Sequence, residues 1–158
     1  MKPTQLVAAI LGALSPLASA ADNEIAGEIV VTTTRIEQPL NKTLSSTTVI
    51  TREDIRNSQA PDLATILRSA AGVEVSQNGG MGKAASLYLR GSNATQVLVL
   101  LDGVRINSAT LGTTAIEHLM LDQVERIEVV RGNVSGLYGS EAIGGVVQIF
   151  TRRGQGAP

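Results

Sequence analysis

The stretch VERIEVVRGNVSGLYGSEAIGGVVQIFTRR, residues 124–153, decides the fold of this chain. It predicts two apolar strands, over residues 127–131 and 145–151, joined by a glycine-rich connection. Glycines permit a positive φ or a close backbone approach at sharp corners. Five of them are predicted to serve that purpose: Gly132, Gly136, Gly139, Gly144 and Gly145. No nucleophile–base pair accompanies them, so they indicate backbone geometry rather than catalysis.

The composition bounds both the size and the chemistry of the protein. Its 158 residues suffice for one domain with a substantial core. A net charge of −1 gives no basic footprint for nucleic acid, and an aromatic content of 2% provides no stacking platform for single strands. The chain has no cysteine, which excludes disulfides and cysteine-ligated metal sites. The core must therefore be aliphatic.

The N-terminus has the pattern of an export signal. Lys2 precedes the apolar run LVAAILGAL (residues 6–14), and Ala18-Ser19-Ala20 forms a small-residue cleavage site. The apolar run is shorter than the roughly 20 residues that a membrane-spanning helix needs. We predict a signal peptide over residues 1–20, the alternative being a buried N-terminal helix.

The segment EIVVTTT, residues 28–34, is a run dominated by β-branched residues and predicts a strand. One interpretation is an ordinary first strand of a sheet. The other is a strand that stays unpaired near the mature terminus, where a partner protein could add a strand of its own.

Two helices are expected between residues 52 and 72. Thr51-x-x-Asp54 has the pattern of a capping box and predicts a short helix to about Asn57. Pro61 is suited to a second helix start. Four apolar residues then follow at the spacing of one helix face, with Gly72 as the expected stop: Leu63, Ile66, Leu67 and Ala70.

The remaining pattern consists of short strands and polar loops. Asp102-Gly103 predicts a tight turn after an apolar strand buried on both faces. A helical turn is expected within residues 119–124. The further strands are expected over residues 47–51, 73–77, 87–90, 97–101 and 104–106. This mixture predicts an α+β fold with a small mixed sheet of four to six strands and two or three short helices.

The motifs of common enzymes and cofactor sites fail in this sequence. A phosphate loop would require glycine at Gln77 and a hydroxyl residue at Ala84. His118 is the only histidine, so no histidine-rich zinc site is possible, and no G-x-S-x-G elbow occurs. We therefore expect no enzymatic activity, no cofactor and no metal site.

Five segments, in order, resemble the plug domain of TonB-dependent outer-membrane receptors, and within that family the type that takes up cobalamin (vitamin B12). They are EIVVTTTRIEQP (28–39), VITREDI (49–55), LRSAAGVEVSQNGGMG (67–82), LYLRGSNATQVLVLLDGVRIN (87–107) and VERIEVVRGNVSGLYGSEAIGGVVQIFT (124–151). Siderophore receptors share most of these segments. The resemblance therefore implies a transported ligand that is cobalamin or, alternatively, a ferric siderophore.

The resemblance also implies a coupling site. The segment that matches the TonB box faces the periplasm in this family and pairs as an added strand with the C-terminal domain of TonB, which transmits force to the plug. The residues implied are Gly27, Glu28, Ile29, Val30, Val31, Thr32 and Thr33.

Two further groups of residues are implied. Arg90 and Arg131 match arginines that pair with glutamates on the inner barrel wall, a task that suits the guanidinium fork; the alternative is a pair of solvated arginines. Two polar loops match plug loops that face the substrate, the alternative being ordinary exposed loops. Their residues are Gln77, Asn78, Gly79, Gly80, Met81, Gly82, Lys83, Asn107, Ser108, Thr110 and Thr113.

The implied organisation has four parts. They are a signal peptide (1–20), a flexible segment with the TonB box (21–42), the plug (43–153) and a truncated junction (154–158) to a β-barrel of about 22 strands that this chain does not contain. The implied location is the outer membrane. A free periplasmic plug-like binding module without transport activity is the alternative, and an exported enzyme would require a cluster of titratable groups that the sequence does not offer.

Overall fold

The computed structural model describes residues 29–30, 32, 36–40 and 45–153. The predicted signal peptide, the junction at 154–158 and Gly27, Glu28, Val31 and Thr33 lie outside the described residues. Among the described residues, no helix is both long and apolar enough to span a bilayer.

Nine strands and three short α-helices make up the described part of the chain. The strands are β1 (Ile29–Val30), β2 (Gln38–Pro39), β3 (Ser46–Ile50), β4 (Val73–Gln77), β5 (Ala85–Leu89), β6 (Val97–Leu101), β7 (Val104–Arg105), β8 (Val124–Arg131) and β9 (Gly145–Thr151). The helices are α1 (Arg52–Ser58), α2 (Leu63–Arg68) and α3 (Ser135–Tyr138). Single 3₁₀ turns at Ala94–Gln96, Ile116–His118, Leu121–Gln123 and Ser140–Ala142 complete the connections.

A mixed five-stranded sheet in the order β3–β8–β9–β6–β7 organises the domain. The β6–β9 pair is parallel, whereas the other neighbours are antiparallel. Two smaller antiparallel pairs, β1–β2 and β4–β5, stand apart from it. The predicted α+β class with a small mixed sheet is confirmed, and β8 begins three residues earlier than expected, at Val124.

The core is aliphatic and lies mainly on one face of the five-stranded sheet. Ile127 and Val129 of β8 and their neighbours Val147 and Ile149 of β9 are fully buried there. They join one apolar cluster with residues of α1, α2 and the β4–β5 hairpin. A smaller cluster on the opposite face contains Leu98, Leu100, Ala142 and Val146. The burial of β6 on both faces, predicted from its unbroken apolar run, is confirmed.

The helix ends follow local hydrogen bonding. The capping box of α1 forms as predicted, with Asp54 N–H donating to Thr51 Oγ1 and Thr51 N–H donating to the Asp54 carboxylate. Helix α2 begins after Asp62, whose carboxylate accepts from Thr65 N–H at 2.8 Å, so the predicted start at Pro61 is displaced. It ends at Arg68, and the N–H of its C-cap, Ser69, donates to the Ile66 carbonyl oxygen at 3.1 Å. The predicted stop, Gly72, lies beyond this end and precedes β4 with φ +73°.

The turn glycines behave as predicted with one exception. Asp102 and Gly103 have φ +49° and +84° between β6 and β7, so the predicted tight turn is confirmed. A β-carbon on Gly144 would overlap the Ser92 side chain, and one on Gly145 would overlap a backbone oxygen, which explains both glycines. The prediction for Gly136 was wrong, because it lies in α3 without positive φ and with open space beside it.

The N-terminal strand differs most from its prediction. Of the described residues in this segment, Ile29 and Val30 form strand structure, and they pair antiparallel with Gln38 and Pro39. The expectation of an unpaired strand is therefore not met. Among the described residues the pairing has two residues on each side, and Pro39 supplies no N–H to it.

Candidate functional site

The N-terminal segment is docked on the five-stranded sheet through Thr32. The residue is fully buried, as is Val30. Its N–H donates to Glu128 Oε2 at 2.9 Å, and its hydroxyl donates to the same oxygen at 2.6 Å. Tyr138 is the last residue of α3, and its hydroxyl donates to the Thr32 carbonyl oxygen at 2.9 Å. The segment is thus attached to the sheet by polar groups as well as by apolar burial.

Gln148 completes this contact from the neighbouring strand. Thr32 Oγ1 lies 3.0 Å from Gln148 Oε1, and Gln148 is the cross-strand partner of Glu128 in the β8–β9 register. A hydroxyl has one proton, which the shorter contact to the carboxylate takes. The amide orientation that turns the Gln148 NH₂ group toward Thr32 would satisfy both residues.

Glu128 is fully buried, and neighbouring hydrogen-bond donors compensate the negative charge of its carboxylate. Oε1 accepts from Arg126 Nε at 3.0 Å, while Oε2 accepts from Thr32. Arg126 itself lies 3.6 Å from the centroid of the Phe150 ring, in a cation–π contact that fixes its direction. An ionised carboxylate without such partners would be costly to bury.

Sequence reasoning did not identify Glu128, Gln148 or Tyr138 as partners of the N-terminal segment. A signal was present, since Glu128 and Gln148 are each flanked by apolar residues on both sides in their strands. Polar side chains at buried strand positions require a partner. What the sequence could not supply was the β8–β9 register that places these two side chains opposite each other.

The predicted arginines, Arg90 and Arg131, are close neighbours. Both side chains run past Gly72, where the position of a β-carbon would lie 3.4 Å from Arg131 Cδ and from Arg90 Cγ. Arg90 follows the last residue of β5 with φ +49°, an uncommon conformation for a residue with a side chain. Within the described part of the chain, neither guanidinium forms an ion pair with a carboxylate.

The two arginines differ in their surroundings. Arg131 is buried and donates to the Ala71 carbonyl oxygen at 2.7 Å and to Ser46 Oγ at 3.2 Å. Burial, and in addition the charge of Arg90, lower the pKa of Arg131. Arg90 is exposed. The structure therefore brings the pair together as a concentrated positive charge that is only partly compensated.

The first predicted ligand loop, residues 77–83, is exposed beyond its first residue. Gln77 is occupied internally, since its amide donates to the Gly80 carbonyl oxygen and accepts from Arg68. Lys83 N–H closes the turn on Gly80 O at 3.2 Å. Met81 is 68% exposed, so this loop presents an apolar side chain as well as polar groups.

The second predicted ligand loop, residues 107–114, is built around Asn107. The Asn107 side chain accepts from Val99 N–H at 2.7 Å and donates to the Val97 and Gly112 carbonyl oxygens at 2.9 and 3.1 Å. Ser108 Oγ accepts from the N–H groups of Thr110 and Leu111. The polar groups of Asn107 and Ser108 thus hold the loop in place, and Thr110 and Leu111 are exposed. Thr113 also serves the loop, because its carbonyl oxygen accepts from Ser108 N–H.

The other titratable groups form no recognisable catalytic arrangement among the described residues. No three His, Asp or Glu side chains there are grouped so that they could hold a metal ion. His118 is exposed. An open groove of about 1350 Å³ is lined by charges of both signs, including Arg52, Asp102 and Arg126. Asp102 accepts from the Thr151 N–H and hydroxyl, so its carboxylate has a structural role.

The fold and these sites match one family of proteins. Residues 39–146 match the family described as the TonB-dependent Receptor Plug Domain. The chain belongs to this family, as the resemblance of its five sequence segments implied.

Curated relatives point to one type of receptor. The chain is 44% identical over 154 residues to a protein named vitamin B12 transporter BtuB from Vibrio cholerae, and 42% identical over 153 residues to one of the same name from Vibrio vulnificus. Each match covers 96% of this chain and 25% of the relative. The chain thus spans about a quarter of the length of these relatives, which are named as transporters rather than enzymes.

Solved structures show the same domain. The ferric enterobactin receptor PfeA from Pseudomonas aeruginosa, in its R480A form, is similar with a TM-score of 0.57 and 33% identity, over 72% of this chain and 18% of that one. The ferric yersiniabactin uptake receptor FyuA from Yersinia pestis is similar with a TM-score of 0.56 and 26% identity over the same shares. The plug architecture is therefore common to receptors whose names refer to different ligands.

Proposed function

We propose that this chain is the plug of an outer-membrane receptor for cobalamin, that it closes the receptor's barrel, and that it couples to the C-terminal domain of TonB through residues 27–33. The observation that carries the choice of ligand is the 44% identity to a vitamin B12 transporter over 96% of the chain. The family name supports the partner.

The proposed coupling uses strand addition. The β1–β2 pairing involves two residues on each side within the described part of the chain, so few of the hydrogen bonds described there oppose its replacement by a partner strand. Val30 and Thr32 are β-branched and favour the extended state that such a strand requires. A pull on this segment acts directly on the centre of the plug, because Thr32 is attached to β8 and β9.

Calorimetry tests the coupling. The exported form of the chain, residues 21–158, is titrated with the TonB C-terminal domain, and free peptides of residues 24–37 compete for it. The wild-type peptide is expected to compete, whereas a Val30→Pro peptide is not, because proline removes a ladder donor. Using peptides keeps the fold of the chain out of the comparison. Equal competition by both peptides would refute strand addition at this segment.

The proposed contact with the barrel uses the arginine pair. Arg90 and Arg131 lie side by side without a carboxylate from the described part of the chain, and burial lowers the pKa of Arg131. Glutamates on a surrounding wall would compensate both charges in a partly dry interface.

The proposed ligand contacts are the exposed groups of the two loops. Residues 78–83, Thr110 and Leu111 are exposed and accessible to a ligand. The side chains of Gln77, Asn107 and Ser108 instead form hydrogen bonds to backbone groups of the chain. The prominent Met81 and Leu111 suit a large ligand with apolar edges, such as a corrinoid.

A chimaera distinguishes the ligands. Residues 39–146 replace the corresponding plug in the Vibrio cholerae vitamin B12 transporter, and uptake is measured in a receptor-deficient strain. Uptake of vitamin B12 is expected. A ferric-siderophore receptor is the second candidate, because the similar solved structures include the enterobactin and yersiniabactin receptors. Uptake of a ferric siderophore in place of vitamin B12 would support that candidate and exclude the first.

A further inference from the structure

Asn78 is the only asparagine of the sequence that precedes a glycine. Both Asn78 and Gly79 are exposed in the loop between β4 and β5. In such a dipeptide the nitrogen of the second residue can attack the side-chain amide of the asparagine. Glycine hinders this attack least, because it has no β-carbon. The reaction requires an asparagine side chain and a following peptide N–H that are both free to approach each other.

The Asn78–Gly79 peptide group meets this requirement within a loop that is otherwise fixed. Asn78 N–H donates to the Ala84 carbonyl oxygen at 3.2 Å, and Lys83 N–H donates to the Gly80 carbonyl oxygen at 3.2 Å. Between these two anchors, neither the Asn78 side chain nor Gly79 N–H forms a hydrogen bond with a residue in the described part of the chain. The attacking nitrogen and the amide carbon are therefore both unrestrained.

The other asparagines among residues 45–153 are held away from this reaction. The side chains of Asn93, Asn107 and Asn133 each form hydrogen bonds to backbone groups. Asn57 lies in α1, where the helical conformation fixes the following peptide group. The sequence and the local structure thus single out the same residue, Asn78.

We propose that Asn78 is a site of spontaneous deamidation, which adds a negative charge to the loop. The Gly79 nitrogen loses its proton to solvent and forms a bond to Asn78 Cγ. The bond from Cγ to the side-chain nitrogen then breaks, and this nitrogen takes up a proton and leaves as ammonia. The resulting cyclic succinimide is opened by water at either carbonyl group, which yields aspartate or isoaspartate. Overall, water is consumed and ammonia is released, without an oxidant or an enzyme.

Deamidation would change the loop in charge and in backbone length. Lys83 is the only charged residue within residues 77–83, so the new carboxylate would cancel the net charge of this loop. Isoaspartate also carries the main chain through its own side chain, which adds a methylene group to the backbone next to the Asn78–Ala84 hydrogen bond. The effect on a ligand rests on the proposed function, whereas the reaction rests only on the loop.

Peptide mapping by mass spectrometry measures the reaction. The exported form of the chain, residues 21–158, is incubated in buffer, and the conversion of Asn78 is compared with that of Asn107. Asn78 should convert at least about tenfold faster, because Asn107 must first break three hydrogen bonds. In guanidinium chloride, which unfolds the chain, conversion of Asn107 should accelerate and that of Asn78 should stay similar.

The proposal is overturned if Asn78 converts no faster than Asn107 in the folded chain. It is also overturned if folding slows the conversion of Asn78 as much as it slows that of Asn107. Asn78→Gln identifies the modified position, since the converted peptide should be missing from its map.

Gly79→Ala tests the attacking nitrogen. The added β-carbon would stand 3.1 Å from Lys83 Cγ at a residue with φ +130°, so both crowding and conformation oppose the attack. Conversion of Asn78 should slow by about tenfold or more. Gly80→Ala is the matched control, because Gly80 has no positive φ and, beyond its chain neighbours, no atom lies within 4 Å of the added β-carbon. If Gly79→Ala slowed conversion no more than Gly80→Ala, attack by the Gly79 nitrogen would be refuted.

The chimaeric receptor tests the consequence for the ligand. Asn78→Asp reproduces the charge of the product, and Asn78→Gln is the uncharged control. Uptake of vitamin B12 should fall several-fold in Asn78→Asp relative to Asn78→Gln, because a carboxylate at the ligand must lose part of its water. Equal uptake by the two variants would refute this consequence. If the wild-type chimaera took up no vitamin B12 while Asn78 converted as expected, the modification site would stand and the proposed function would fail.

Discussion

Gly145 lies directly against Val130, with its backbone so close that any β-carbon at position 145 would overlap the Val130 carbonyl oxygen. Gly145 also has φ +144°, a conformation that residues with side chains rarely adopt. The Gly145→Ala variant should therefore lose about 3 kcal/mol of unfolding free energy, from overpacking and backbone strain together. Urea unfolding measures this loss as a lower midpoint at unchanged slope.

Gly136→Ala is the matched control for that variant. Gly136 lies in α3, its φ is not positive, and beyond its chain neighbours and its own helix backbone no atom lies within 4 Å of the added β-carbon. Alanine is favoured over glycine inside a helix by roughly 0.5–1 kcal/mol, so this variant should be neutral or slightly more stable. A large loss at Gly136, or none at Gly145, would contradict the assignment of their roles.

Asn107 should prove to be a structural residue of its loop. Its side chain makes three hydrogen bonds to backbone groups of Val97, Val99 and Gly112. Asn107→Ala leaves these partly buried groups unpaired and should cost about 2–3 kcal/mol, measured by urea unfolding. Asn78→Ala, on the exposed first loop, should change the unfolding free energy by no more than about 0.5 kcal/mol.

A measurement of ligand uptake tests the role of Asn107 further. If Asn107 instead touched the ligand, its replacement by alanine in the chimaeric receptor would weaken uptake without altering the stability of the domain. That result would restore the direct ligand role that the sequence pattern suggested.

Sequence patterns predicted where the strands and helices lie better than they predicted which elements contact one another. The strands β4, β6 and β9 and the capping box at Thr51 follow from local alternation, apolar runs and side-chain hydrogen bonding, which the sequence contains in full. The start of α2 was displaced because Asp62 is a better N-cap than the residue before Pro61.

The site was less accessible to the same reasoning. Arg90 and Arg131 are 41 positions apart in sequence, and only the packing of both stems past Gly72 brings them together. The docking of Thr32 depends on a contact with Glu128, 96 residues away. Strand propensity at residues 28–34 cannot reveal such a contact, because propensity describes the local backbone and not its distant partners.

Exposed apolar side chains indicate limited stability for the domain by itself. Ile36, Met81, Val104, Leu111 and Met120 are each more than 65% exposed. Arg131 carries a buried charge that no described carboxylate compensates. Thermal unfolding, followed by circular dichroism, should be cooperative with a midpoint well below the roughly 90 °C that marks hyperstable domains. A midpoint above that temperature would show that the domain does not depend on an enclosing wall.

The capping box of α1 should make stability depend on pH in an acid range. Hydrogen bonds from the Thr51 side chain, and then from its backbone N–H, lower the pKa of Asp54. A carboxyl group whose folded pKa is lowered contributes stability above its unfolded pKa of about 3.9, and the contribution is lost as pH falls through the lower folded value. Asp54→Asn should therefore lower the unfolding free energy at about pH 6 by roughly 0.5 kcal/mol, since Asp54 is exposed and its interactions are screened.

The same comparison at low pH provides the decisive measurement. Urea unfolding is measured at about pH 6 and about pH 3. The difference in unfolding free energy between wild type and Asp54→Asn should be smaller at the lower pH, because the wild-type carboxylate takes up its proton. Asp122→Asn, another exposed carboxylate, is the matched control and should show little difference at either pH. If the difference in unfolding free energy between wild type and Asp54→Asn stayed constant between the two pH values, the ionised carboxylate would not stabilise α1. The cap would then act through the Thr51 hydroxyl alone.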